Sequence, residues 1–216
     1  MQRPLNQLLS EASIVFWDFD GVIKESVEVK SLAFQKLFLE FERDAVEAIG
    51  EHHENNSGLS RFEKIPLYLS WVGEPVTNEN IKNYCNKFSL LVKQAVIDSS
   101  WVPGVLNCLE AYYKKKKFLL LTATPKREID EILEELQISH FFIEVYGAPT
   151  SKLDAIRIAL EGLEKHSKNA IMIGDSYSDY EAATNNNILF ALRQTEFNLS
   201  LQKESMCLMF KDFNDE

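Results

Sequence analysis

The sequence predicts an α/β protein: a parallel sheet covered by helices on both faces, with an all-α unit inserted near its start. Three features predict it. Short apolar runs, "SIVFW", "KFLLL" and "NAIMI", each hand over to a polar residue at their C-terminal end, as strands buried on both faces do. Helical patterns lie between and after these runs, the alternation that builds a parallel sheet. The stretch between the first two runs is too long for one crossover and reads as successive helices.

In chain order, the first run ends at Asp18 and leads into "DFDGV". Helical patterns then cover Val27–Phe41, Arg43–His53, Leu59–Trp71 and Asn78–Ile97, with "ENNSG" and "VGEP" as turns between some of them. "SSWVPG" brings the chain back, and Gly104–Tyr113 reads as the helix feeding the second run, which ends at Thr122 in "LLLTATP". A helix over Pro125–Gln137 follows, then a weaker strand at Ile143–Tyr146 and a helix over Ser151–Lys165. The third run ends at Gly174-Asp175 and precedes a helix over Ser178–Asn186. Weaker strands at Ile188–Leu192 and Met206–Phe210 and a polar surface tail, "KDFNDE", complete the chain. The main domain is thus expected from residues 1–22 and 101–216, and the four-helix insert from 23–100. In an open parallel sheet, ligands bind beyond the carboxyl ends of the strands, so Asp18, Thr122 and Asp175 are expected to converge.

Composition narrows the partners. The chain has 216 residues, 45% hydrophobic and 26% charged, ordinary for a soluble protein with a sizeable core. A formal net charge of -10 argues against nucleic acid or an anionic membrane, which want a basic surface. A small anionic substrate stays admissible, because a local site can be positive on an acidic protein. Cys85, Cys108 and Cys207 are far apart and lack zinc spacing, so they read as thiols in a reducing compartment. "MQRPLNQLLSEAS" lacks a signal-peptide apolar core, and no apolar run approaches the roughly 20 residues that span a bilayer. The expected setting is cytoplasmic.

Asp18 and Asp20 are like charges one residue apart, and Asp175 and Asp179 in "GDSYSD" add two more at the same sheet edge. Carboxylates gathered without a cation raise one another's pKa values. An all-oxygen set suits a hard cation such as Mg²⁺, and Lys152, just inside a helix after "GAPTS", supplies further positive charge.

These residues in this order resemble the haloacid dehalogenase superfamily of phosphohydrolases. The motifs are "DFDGV", Thr122 after an apolar strand, Lys152 at a helix start and "GDSYSD". A lone DxD is weak, but four motifs in order at strand ends are specific. The helical insert matches the superfamily's helical cap, placed just after the first motif on a Rossmann-like core. By pattern the chain is most similar to the phosphoglycolate phosphatase and β-phosphoglucomutase branch, and the resemblance spans essentially the whole sequence.

The resemblance implies roles. Asp18 would be the nucleophile that forms an aspartyl-phosphate. Asp20 would be general acid and then base, staying neutral at first while the metal and Lys152 favour charge on Asp18. Mg²⁺ would be held by Asp18, Asp175 and the backbone carbonyl of Asp20. Thr122 and the backbone N–H groups of Phe19 and Ala123 would bind the phosphoryl oxygens. Lys152 would neutralise Asp18 and the phosphoryl group, with Asp179 in support. The second carboxylate, Asp20, speaks against dehalogenation, since a halide leaves without a proton.

Two departures from the branch stand out: Glu25 in "DGVIKES" where Asp is usual, and Ala123, which offers only its backbone. In the insert, Arg61 and Lys64 of "GLSRFEK" fall where related caps carry a specificity loop. They read equally as readers of an anionic substrate or as exposed helix residues. Thr124-Pro125 reads as a helix N-cap with Pro at N1, Phe34, Phe38 and Phe41 as cap core, and His52 and His53 as pointing apart. The expected partner is a small phosphorylated metabolite, with oligomeric state open. The function implied is a Mg²⁺-dependent phosphatase. The alternatives are a phosphomutase using the same core residues, a phosphonatase with Lys24 or Lys30 as Schiff-base lysine, and an idle phospholigand-binding domain.

Overall fold

The computed structural model describes residues 5–163, 169–204 and 207–214. Its sheet is all parallel: β1 (Ile14–Trp17), β2 (Lys117–Pro125), β3 (Glu144–Ala148), β4 (Ala170–Gly174), β5 (Leu189–Arg193) and β6 (Leu208–Phe210), in the order β3-β2-β1-β4-β5-β6. Every residue of β1 and β4 is buried, because both faces are covered. Val15 and Trp17 enter one apolar cluster and Ile14 and Phe16 the other, the alternation a pleated strand imposes. From β1 the chain builds outward to β3 on one side, then returns to β4 and builds to β6 on the other. The switch point lies between β1 and β4, where an open α/β sheet leaves its crevice.

The helices, in chain order, are α1 (Leu5–Glu11), α2 (Val27–Leu37), α3 (Arg43–Asn55), α4 (Arg61–Trp71), α5 (Asn78–Asp98), α6 (Val105–Tyr112), α7 (Lys126–Glu135), α8 (Lys152–Gly162), α9 (Tyr177–Asn185) and α10 (Leu199–Glu204). The insert is α2 to α5. Phe34 stacks on Phe88 at 3.9 Å and Phe38 on Tyr84 at 5.1 Å, so the expected aromatic stripe does fill its core. Ser60 and Glu63 form a reciprocal capping box that starts α4, so the helix begins at Arg61 rather than Leu59. The chain enters and leaves the insert on adjacent segments: Lys24 bridges Asp20 on one side and Trp101 on the other. The Lys24 ammonium donates to the Ile97 carbonyl at 3.0 Å and lies 4.2 Å above the Trp101 ring. It ties the crossing together and does not face the sheet edge as a Schiff-base lysine would.

Some expectations are corrected. β2 continues through Pro125, which pairs with Ala148, so α7 starts at Lys126 and Thr124 is a strand residue rather than an N-cap. Helix α1 has no counterpart in the expected elements, yet Leu5, Leu8 and Leu9 are all buried. The tail is not wholly superficial: Phe213 packs on Trp17 at 5.5 Å and on Phe210 at 5.2 Å. Glu164, Lys165 and Met206, expected in elements, lie outside the described residues, as do the last two residues of the tail. No described helix is long and apolar enough to cross a membrane.

Candidate active site

Strand register brings the motifs together. Trp17 pairs with Leu120 on one side and Ile173 on the other. Asp18 therefore leaves β1 level with Leu121 and Gly174, and Thr122 and Asp175 follow one step beyond. Lys152, opening α8, reaches in from the flank: its Nζ lies 2.9 Å from Asp18 Oδ2 and 2.7 Å from Asp179 Oδ1. The Phe19 N–H donates to Asp18 Oδ1 at 2.7 Å, fixing the second oxygen. In this arrangement the Phe19 N–H serves the Asp18 carboxylate itself. Thr122 Oγ1 accepts from the Thr124 N–H at 3.1 Å. Asp179 is fully buried and also accepts from Ser176 Oγ and N–H, so it closes its own helix start while holding Lys152.

The glycine of "DFDGV" has a double cause. Gly21 sits at φ +75, and a Cβ there would lie 2.1 Å from Asp175 Oδ2. A side chain at this position would strain the turn and push the third carboxylate aside.

Among the described residues, Asp18, Asp175 and Asp179 place carboxylate oxygens within 4.8 Å of one another. Burial first, and then Asp179, push Asp18 well above the carboxylate range, with Lys152 pulling it down. The same two causes raise Asp175 to about 8, again against Lys152. Burial opposes the Lys152 charge, yet Asp179 and Asp18 hold its ammonium above its ordinary value. One ammonium does not balance three buried carboxylates, and the deficit, with oxygen-only donors, fits a hard divalent cation.

Asp20 has a different environment. Its Oδ1 accepts from Ser26 Oγ at 2.6 Å and its Oδ2 from Lys30 Nζ at 2.5 Å. Burial would raise it, but the Lys30 charge and the hydrogen bonds from Lys30 and Ser26 outweigh burial and hold it below the carboxylate range. In this arrangement Lys30 and Ser26 favour the charged form of Asp20; the expected neutral Asp20 belongs to the metal-loaded site. Lys152 is shared between two acids, whereas Lys30 meets one acid, Asp20, among the described residues. Lys30 also donates to Thr124 Oγ1 at 2.8 Å, tying the insert to β2. Sequence reasoning missed Ser26 and the role of Lys30. Their spacing of four residues, at the start of α2, was the available signal, since it sets both on one helix face.

The insert's other basic residues are also corrected. Arg61 is buried, with a bidentate pair to Glu128 of α7 and a hydrogen bond to Ser89, and its guanidinium lies 4.6 Å over Phe88. Lys64 is buried too, its Nζ 2.8 Å from His53 Nδ1 and 5.8 Å from the Phe34 ring centre. Neither is an exposed helix residue. Burial first, then Lys30, lowers Lys64 well below its ordinary value, and burial with Lys64 does the same to His53. His52 instead meets the Tyr68 hydroxyl at 3.0 Å, so the two histidines point apart. Glu25, the departure in "DGVIKES", pairs with buried Arg193, which also donates to the Gly21 carbonyl at 2.8 Å.

A cavity of about 460 Å³ opens beside Thr122, Ala123 and Lys152, between the core and the insert's segment 58–63. Gly58 permits this approach, since a Cβ there would lie 2.0 Å from Ser178 Oγ.

A family model described as haloacid dehalogenase-like hydrolase matches residues 15–192. A phosphorylated carbohydrates phosphatase of Thermotoga maritima is 26% identical over 175 residues, 78% of this chain and 79% of that protein. Two solved structures share the fold. CbbY from Rhodobacter sphaeroides, in complex with phosphate, has TM-score 0.75 at 16% identity, over 94% of this chain and 95% of its own. A β-phosphoglucomutase from Clostridium difficile has TM-score 0.74 at 20% identity, over 94% and 92%. With all four motifs gathered at one sheet edge, the chain belongs to the haloacid dehalogenase-like hydrolase family, and its motifs are those of the family's phosphoric monoester hydrolases.

Proposed function

We propose that the protein is a Mg²⁺-dependent phosphatase of a small phosphorylated carbohydrate, working through an aspartyl-phosphate on Asp18. The observation that carries this reading is the Asp18–Lys152–Asp179 chain of contacts at the sheet edge, beside a second carboxylate, Asp20. The phosphatase activity of the Thermotoga maritima relative supports it.

In this reading Lys152 and the Phe19 N–H hold the two oxygens of Asp18, so the carboxylate meets phosphorus in line with the leaving oxygen. Thr122 and the Ala123 N–H receive the phosphoryl oxygens. Asp20 gives its proton to the leaving oxygen and then takes one from the attacking water. For the first of these steps Asp20 must carry a proton, so the Lys30 contact to its Oδ2 must give way. Asp18, the Asp20 carbonyl and Asp175 would hold a divalent cation, which would supply charge neutralisation to the transferring group. The insert, residues 23–100, acts as the cap that admits small substrates and keeps water out. Cys85 and Cys108 as buried thiols support a reducing, cytoplasmic setting.

Phosphate release from p-nitrophenyl phosphate and sugar monophosphates, with Mg²⁺ or with EDTA, tests this. Metal-dependent release is expected. Interconversion of sugar phosphates without net release would establish the phosphomutase outcome instead.

A further inference from the structure

The turn after β1 is held by contacts that the chemistry above does not use. The Gly21 N–H donates to the Lys24 carbonyl at 2.7 Å, which fixes the plane of the Asp20–Gly21 peptide and so the direction of the Asp20 carbonyl. The Gly21 carbonyl, one peptide on, accepts from Arg193 Nη1 at 2.8 Å. Both peptides around Gly21 are therefore held, at a φ of +75 and with no room for a Cβ beside Asp175 Oδ2.

Arg193 ends β5 and is buried. Its guanidinium donates from all three nitrogens: Nη1 and Nη2 grip the two oxygens of Glu25, and Nε reaches the Lys211 carbonyl at 3.1 Å. Glu25 lies where the insert begins, its N–H donating to the Ser100 carbonyl of the returning segment at 2.9 Å. Asn198 completes the frame, its side-chain amide donating to the Asp175 carbonyl at 2.7 Å and to the Arg193 carbonyl at 2.8 Å. One buried side chain thus joins the Gly21 turn to the entry of the insert, while its own backbone is tied to the segment of Asp175. Glu25 offsets its charge, so what Arg193 gives the sheet edge is geometry.

We infer that Arg193 is a positioning residue for the divalent-cation site, keeping the Asp20 carbonyl in fixed relation to the Asp175 carboxylate. It acts through the Gly21 turn and touches no reacting atom. This rests on the cation of the phosphatase reading, but its test reads metal binding rather than turnover.

Calorimetric titration of the native chain and of Arg193→Met with Mg²⁺ alone decides it. Loss of such outer contacts is expected to weaken Mg²⁺ binding by about 10–100-fold. Turnover of Arg193→Met should recover as Mg²⁺ is raised, so the Mg²⁺ requirement moves more than kcat at saturation. Arg193→Lys keeps the charge but cannot grip Glu25 and Gly21 together, so it should weaken Mg²⁺ binding as well; it replaces Arg193→Met if that variant does not fold. Arg61→Met removes another buried guanidinium, one that serves the α4–α7 contact, and should leave the Mg²⁺ Kd within about twofold. Native Mg²⁺ affinity in the Arg193 variants, or an equal loss in Arg61→Met, would overturn the inference. Mg²⁺ binding by the native chain with no phosphate release from any substrate would overturn the phosphatase reading alone. A native chain that binds no Mg²⁺ would overturn both.

Discussion

At the sheet edge, Asp18, Asp175 and Asp179 lean on one ammonium, Lys152. On the inner face of the insert, Lys30, Arg61 and Lys64 each have a partner of their own. The first region is left with excess negative charge and so calls for a cation and a phosphoryl group. The second is internally satisfied, and its contacts hold the insert against the core. The difference teaches that unbalanced charge gathers at the sheet edge, while the buried basic residues of the insert are neutralised or held by contacts of their own.

The largest expected effect breaks the first region alone. Asp18→Asn removes the proposed nucleophile and should lower kcat by about four orders of magnitude or more, with the circular dichroism spectrum unchanged. Phosphate release under saturating substrate measures it.

A smaller effect is expected from the Arg61–Glu128 pair between α4 and α7. Arg61→Met and Glu128→Gln each leave a buried charge without its partner, so each should weaken closure and raise KM. The double variant should be no worse than either, with a coupling of about 1–3 kcal/mol in kcat/KM. Additive losses would mean that Arg61 touches substrate instead.

The two regions should also answer pH with opposite sign. In EDTA, Asp175 is raised from 3.8 to about 8, so the folded state binds more protons than the unfolded chain. Stability of the metal-free protein should therefore fall as pH rises from about 5 to 8, by about 1 kcal/mol per unit, and level off above pH 8, and Mg²⁺ should reduce that slope. His53 is held well below 6.5, so the unfolded chain binds more protons there. Its contribution is present above pH 6.5 and is lost as pH falls below it, and His53→Gln should flatten that acid limb. Melting temperatures across pH 5–9, with and without Mg²⁺, read both limbs.

The smallest effect is expected at Glu25. Glu25→Asp shortens the reach to Arg193, but Glu25 is 39% exposed in its side chain, so water replaces much of the lost pair. A loss of less than about 1 kcal/mol in denaturant unfolding is expected.

The sheet edge was legible in the sequence because each of its residues ends an apolar run or lies in the first turn of a helix, and parallel register does the rest. Asp18, Thr122 and Asp175 needed only the ends of their apolar runs, and Lys152 only its helix start. The insert was legible as helices and not as contacts. Lys30 meets Thr124 across a separation of 94 residues and Arg61 meets Glu128 across 67, and no local pattern encodes either. The Lys30 partner of Asp20 went unseen for the same reason: it comes from the insert, not from Asp20's own strand. Thr124 was given to a helix cap because a Thr-Pro pair favours one, and pairing of Pro125 with Ala148 extended the strand instead.

The most direct test of the central claim is to trap the phosphorylated enzyme. Acid quench in the first turnover, borohydride reduction and mass spectrometry of the peptides should convert Asp18, and no other carboxylate, to homoserine. The label should vanish in Asp18→Asn. Turnover with no label at Asp18, or with label at another residue, would contradict the account.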